Sequence, residues 1–256
     1  MKKYLYSYQT IIRFQIPVRA HFFLLRCMPC INACQRTDGR ELFLHPSDYL
    51  TYDTDTWGNP IQYGSRMDPH DSFIFVSGGE AYVDPYCLPE KEARAIFRVQ
   101  SRLTELTDPM RLFLAEDIRE GDPLEQAIHL SGRIYAYMRY TPGSTQVQTT
   151  AAEAFARREG VCQDYAHILI ALCRAQGIPA RYVNGFLQGI GATHAWVEVF
   201  DKGAWWGIDP TNNRRIEYGY IKLSHGRDAL DCPVIRGIFT GATTQQVEVR
   251  VIVEEI

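Results

Sequence analysis

Gly160-Val161-Cys162-Gln163-Asp164-Tyr165-Ala166-His167-Ile168-Leu169-Ile170-Ala171-Leu172-Cys173 runs from a glycine turn into a stretch that is apolar on nearly every side. It predicts a helix from about Cys162 to Gln176, stopped by Gly177 and Pro179. A helix without a polar face is buried in the centre of a domain. Its first residue is a cysteine, and that position is chemically distinctive. A thiol attacks a carbonyl only as thiolate, and the free amides and dipole at a helix N-terminus favour the anion. Cys162 is therefore a candidate nucleophile, and the first-turn N–H groups are candidate donors to a developing oxyanion.

Downstream, the pattern changes from helical to alternating. Ala180 to Leu187, Thr193 to Phe200, Ala204 to Asp209, Tyr218 to Leu223 and Gln246 to Val253 have strand character. If Asp201-Lys202-Gly203-Ala204 closes a hairpin, Phe200 faces Trp205 and Trp196 faces Asp209. His194 and Asp209 then project from one sheet face as diagonal neighbours, roughly 7–8 Å apart at the backbone. Side chains close such a gap. Asp209 can hold one imidazole nitrogen of His194 and leave the other for a thiol, which is the nucleophile–base–orienter arrangement of acyl-transfer enzymes. Asp164 reads as a stabiliser of the helix start, His167 as a core or boundary histidine, and Cys173 as packing.

These motifs resemble the transglutaminase-like superfamily. Gly160 to His167 is similar to its nucleophile motif, and Gly177-Ile178-Pro179-Ala180-Arg181-Tyr182-Val183 to the strand after the helix. Thr193-His194-Ala195-Trp196-Val197-Glu198-Val199 and Ile208-Asp209-Pro210-Thr211 are similar to its histidine and aspartate motifs, in the family's order. The resemblance is strongest over residues 120–225, and the tail, with Gly226-Arg227-Asp228 and Arg236-Gly237, looks like bacterial members. It implies an α+β fold with a papain-like cysteine-protease/transglutaminase core, a central buried helix packed on an antiparallel sheet. It also implies a Cys162, His194, Asp209 triad acting on a peptide or protein substrate. The expected chemistry is acyl transfer at an amide through a thioester, with peptide hydrolysis ahead of glutamine cross-linking or deamidation. A non-catalytic member that uses the cleft as a peptide-binding scaffold is the other class. No cofactor is implied.

Upstream, residues 4–85 read as strands separated by Thr37-Asp38-Gly39, Trp57-Gly58-Asn59-Pro60 and Ser77-Gly78-Gly79, which suggests a small β-sandwich-like domain. The expected division is a β-rich domain over 1–88 and the catalytic domain over 89–256. Pro89-Glu90-Lys91-Glu92 predicts a helix reaching about Leu106. Pro109 starts a short one, Asp122-Pro123 opens one towards Tyr140, and Thr149-Thr150 caps one through Arg158.

Composition sets the outer bounds. The chain has 256 residues, a net charge of -3, 46% hydrophobic and 22% charged residues, and no basic run. Nucleic acid and anionic membrane surfaces are poor expectations for it. Lys2 and Lys3 precede a stretch too polar for a signal peptide, and no apolar window is long enough to span a membrane, so a cytoplasmic location is expected. Seven cysteines, an odd number, argue against a disulfide framework. Cys27, Cys30 and Cys34, with the distant Cys87, have too loose a spacing to lead with a zinc site, and free thiols are the expectation.

Overall fold

The computed structural model describes residues 1–117 and 120–256. The first strand, β1 (Lys2–Leu25), alternates buried Tyr4, Tyr6 and Tyr8 with outward residues such as Leu5, the period of a half-buried strand. It bends near Pro17, where its register against β5 shifts between Arg13 and Val18 and Ala20 takes a φ of 49°. Beyond it come β2 (Gln35–His45), β3 (Tyr49–Thr54), β4 (Pro60–Arg66) and β5 (His70–Val83). The N-terminal half of β1 pairs with β5, and the half beyond the bend pairs with β4. These five strands belong to one eight-stranded antiparallel sheet, folded about the bend in β1 and completed by three strands from later in the chain.

The helix expected over residues 90–106 does not form. β6 (Leu88–Pro89) pairs with a later strand, and only short 3-10 turns at Ala95–Arg98 and Arg102–Thr104 follow. Tertiary bonds tie this segment, through one carbonyl and two side chains, to the central helix and its exit. Arg174 Nε donates to Phe97 O (3.1 Å), the Gln100 side chain donates to Ala171 O (2.8 Å), and Arg98 Nε donates to Gly177 O (3.3 Å). Phe97 and Leu103 are buried, at a spacing that a single helix face does not offer. The segment is an extended strap across the end of the central helix, and local propensity yields to these contacts.

The remaining helices form where expected. They are α1 (Asp108–Ala115), α2 (Pro123–Tyr137), α3 (Ala151–Arg157) and α4 (Cys162–Ala175). A short parallel pair, β7 (Arg139–Tyr140) and β8 (Glu159–Gly160), ties the end of α2 to the start of α4. After α4 come β9 (Ala180–Leu187), β10 (Gly189–Gly191), β11 (His194–Asp201), β12 (Ala204–Asp209), β13 (Arg214–Arg215) and β14 (Tyr220–Gly226), then β15 (Ile235–Thr240) and β16 (Gln245–Glu255). A six-stranded antiparallel sheet runs β13-β12-β11-β9-β14, with β6 added to β12. From Tyr165 to Arg174 every residue of α4 is buried, and the helix lies against Ala180, Tyr182, Ala195, Val197 and Ile208 of that sheet. The opposite face carries Val183, Trp196 and Trp205, packed with Tyr86, Phe97 and Tyr220. Among the described residues no helix is long and apolar enough to cross a membrane.

The last strand belongs with the first. β16 pairs with β1 from Tyr4↔Glu255 to Phe14↔Gln245, and β15 pairs with the far half of β1. β1 therefore takes a partner on each side, β5 from the N-terminal part and β16 from the C-terminal end. Phe186, Ile221 and Leu223 of the second sheet pack into the same core as Tyr6, Tyr8 and Val251.

Candidate active site

The approach to Cys162 is held by short-range hydrogen bonds. Thr150 caps α3 and exchanges bonds with Glu153, and Arg158 closes that helix in the left-handed region at φ 57°. Val161 is the N-cap of α4, and its N–H donates to Asp164 Oδ2 (2.8 Å), which also accepts from Thr145 Oγ1 (2.7 Å). Burial raises the Asp164 carboxyl above its ordinary value, and these donors partly oppose that. A Cβ on Gly160 would stand 2.6 Å from Asp164 Oδ2, so the glycine is required by this close approach. Cys162 follows as the first helical residue, half-buried and unbridged.

The β11–β12 hairpin closes through Lys202 (φ 48°) and Gly203 (φ 77°), and Phe200 pairs with Trp205 as the sequence predicts. Continuing the register places Asp209 across from Trp196, diagonal to His194. His194 Nε2 donates to Asp209 Oδ2 at 2.7 Å. Asp209 is fully buried, and Oδ2 also accepts from Tyr220 OH (2.6 Å) and Asn212 Nδ2 (2.7 Å), while Oδ1 accepts the amides of Thr211 (2.9 Å) and Asn212 (3.1 Å). Burial alone would raise this carboxyl, but the donors, His194 foremost, hold it below the ordinary carboxylate value. For His194 burial opposes the charged ring, yet the bond to Asp209 and the nearby Cys162 outweigh it and carry the imidazole up to about 10. With Nε2 on Asp209, Nδ1 is the nitrogen left for the thiol.

Cys162 and His194 line one cleft with Tyr140, Leu187, Gln188 and Ile190. Its second lobe runs along Tyr135, Met138, Tyr165 and Asn212. The β10 wall belongs to the first sheet, since β10 pairs with β16. The three residues singled out from the sequence thus sit together. Two others were not anticipated. Asn212 could have been found, because Asp209-Pro210-Thr211-Asn212 is a turn in which an Asp side chain accepts from the following amides. Tyr220 lies eleven residues beyond Asp209, and no local pattern marks it.

Other side chains fall elsewhere. His167 is buried, accepts from Ala229 N (3.2 Å), and is driven down to about 4 by burial. Trp196 and Trp205 are core residues, and Trp206 donates to Asp201 O. Cys27 Sγ donates to Gln62, Cys30 Sγ donates to Lys222 O and accepts from Asn32, and Cys34 Sγ donates to Asn32. Burial pushes Cys27 up to about 12 and Cys34 up to about 11. Among the described residues no group of three or more His, Cys, Asp or Glu is arranged to hold a metal ion.

Comparison with known proteins places this geometry in a family. Residues 113–210 match the transglutaminase-like superfamily, and residues 4–81 match the bacterial transglutaminase-like N-terminal region. An uncharacterized protein of Mycobacterium leprae is 35% identical over 262 residues, covering 92% of each chain. One of Mycobacterium tuberculosis is 33% identical over 243 residues, covering 80% of this chain and 77% of the relative. The crystal structure of a candidate cysteine protease from Cytophaga hutchinsonii superposes with a TM-score of 0.78 at 22% identity, covering 100% of this chain and 91% of that one, a likeness of fold. The chain belongs to the transglutaminase-like superfamily.

Proposed function

We propose that the protein is a cysteine-dependent acyl-transfer enzyme that hydrolyses peptide or amide bonds through a thioester on Cys162. The observation that carries this reading is the His194–Asp209 bond of 2.7 Å beside the half-buried thiol at the start of α4. The reacting form pairs a thiolate on Cys162 with an imidazolium on His194, and Asp209 favours the charged ring. The thiolate attacks the amide carbonyl. The oxygen takes up negative charge against the N–H groups that open α4, those of Cys162 and Gln163, which precede the first intrahelical bonds. His194 gives its proton to the departing amine, and the thioester remains. The neutral His194 then takes a proton from water, the water oxygen attacks the thioester, the carboxylic acid is released, and the thiolate–imidazolium pair is regenerated. Asp209 holds the ring in position and stays ionised throughout. Exposed cleft walls, with Ile190 at 74% and Tyr140 at 52%, support water as the acceptor.

Iodoacetamide modification across pH 5–9, with the modified residue mapped by mass spectrometry, tests the pair. Selective alkylation of Cys162 below pH 7, lost in His194→Ala, is the expected result. A Cys162 that reacts no faster than a free thiol overturns the reading. A peptide screen with and without an added amine then separates hydrolysis from cross-linking.

A further inference from the structure

The sheet face that carries His194 and Trp196 continues to Glu198, and there a second cavity of about 230 Å³ opens. Arg94, Arg181, Lys222 and His225 line it, with Trp57 and Phe97 as aromatic walls. Three cations, Arg94, Arg181 and Lys222, stand against two carboxylates, Glu90 and Glu198, so one positive charge is left over.

The carboxylates are already engaged. Glu198 is fully buried and accepts from Lys222 Nζ (2.7 and 2.9 Å), from Arg181 Nε and from Tyr86 OH (2.5 Å). Glu90 accepts from Trp205 Nε1 (2.5 Å). Arg181 is the informative residue. It is only 5% exposed, and its guanidinium lies 4.0 Å from the Trp205 ring centroid, which fixes its plane. Its Nε is bound to Glu198, but Nη1 stands 3.7 Å from Glu90, beyond hydrogen-bond reach. Among the described residues the side-chain hydrogen bond of Arg181 runs through Nε, which leaves Nη2 free. A buried guanidinium that presents unused donors to a cavity is set for an oxygen anion, which it can grip with both Nη groups. His225 is held well below its ordinary value, by burial first and then by Lys222 and Arg181, so its neutral ring can add a donor without adding charge.

We propose that this cavity is a binding site for a small oxyanion, carboxylate or phosphate, gripped by the Nη edge of Arg181 with Lys222 and Arg94 supplying the field. Its volume lies below the roughly 300–1,000 Å³ of sites for drug-sized ligands, which restricts the occupant to a small ion. The site is separate from the catalytic cleft and does not depend on the activity proposed above.

Equilibrium dialysis of the whole protein against radiolabelled phosphate and, separately, radiolabelled acetate, at constant ionic strength in sodium chloride, tests it. One-to-one saturable binding of at least one anion is expected. Phosphate alone identifies a tetrahedral occupant, and acetate alone a carboxylate. Arg181→Lys keeps the charge facing Glu198 but loses the planar fork, and should weaken binding about tenfold. Arg94→Gln, at an exposed position, should weaken it by a smaller factor, and it decides the matter if Arg181→Lys does not fold. His194→Ala should bind as the wild type does. Absence of saturable binding, wild-type affinity in the folded Arg variants, or loss of binding in His194→Ala each overturns the proposal.

Discussion

Tyr220 and His194 meet on a single atom, Oδ2 of Asp209, at 2.6 and 2.7 Å. Asn212 adds a third donor to the same oxygen, so the carboxylate is fixed before the imidazole leans on it. Tyr220→Phe removes one charge-assisted bond, an interaction of about 1.5–3 kcal/mol. The Asp209 carboxyl should move up, and the ring should be held less firmly. The expected outcome is a roughly tenfold slower alkylation of Cys162 at pH 6 with an unchanged circular dichroism spectrum. An unchanged rate would remove Tyr220 from the positioning of the site.

The pH dependence of stability follows from His194. Its folded-state value, about 10, lies above the unfolded value of about 6.5, so it contributes stability fully below that lower value. The contribution declines as pH rises through about 10. Urea unfolding of the wild type and of His194→Gln at pH 6, 8 and 10 should give a stability difference that is largest at pH 6 and smallest at pH 10. A difference that grows with pH would contradict an imidazolium in the folded state.

Gly160→Ala places a methyl group against the Asp164 carboxylate, 2.6 Å from Oδ2. That carboxylate bonds Val161 N and Thr145, so displacing it loosens the turn that presents Cys162. A loss of about 1–3 kcal/mol in stability is expected, together with a fall in low-pH alkylation. Unfolding by urea and peptide mapping after brief iodoacetamide treatment would read both.

Glu198→Ala leaves two buried cations, Arg181 and Lys222, without their shared carboxylate. Breaking a buried pair of this kind costs about 3–5 kcal/mol, so the melting temperature should fall sharply. The triple replacement Glu198→Met, Lys222→Met, Arg181→Met should recover part of that loss. Differential scanning fluorimetry of both variants provides the comparison.

Much of the core was legible because its signals are local. The glycine turn at Gly160, the all-round apolar run to Cys173 and the hairpin register from Phe200 to Trp205 each need only neighbours in the chain. Cys162 and His194 line one cleft, and Asp209 lies buried with its carboxylate bonded to His194. Glu90, Lys91 and Glu92 are good helix formers, so the sequence predicts a helix from Pro89 towards Leu106 where the strap lies. Its partners, Arg174 and Ala171, lie about seventy residues away, and no local rule reveals them. Tyr220 was missed for the same reason.

The pairing of β1 with both β5 and β16 also governs how the protein is made. When Val83 leaves the ribosome one side of β1 can be satisfied, while the other stays an open edge until Glu255 has been synthesised. At about 5–20 residues per second that interval lasts roughly 10–30 s. Throughout it, Tyr4, Tyr6 and Tyr8 lie on a strand with free backbone donors and acceptors, the kind of edge that recruits other nascent chains. The nascent chain thus has a window in which a chaperone decides between the native sheet and aggregation.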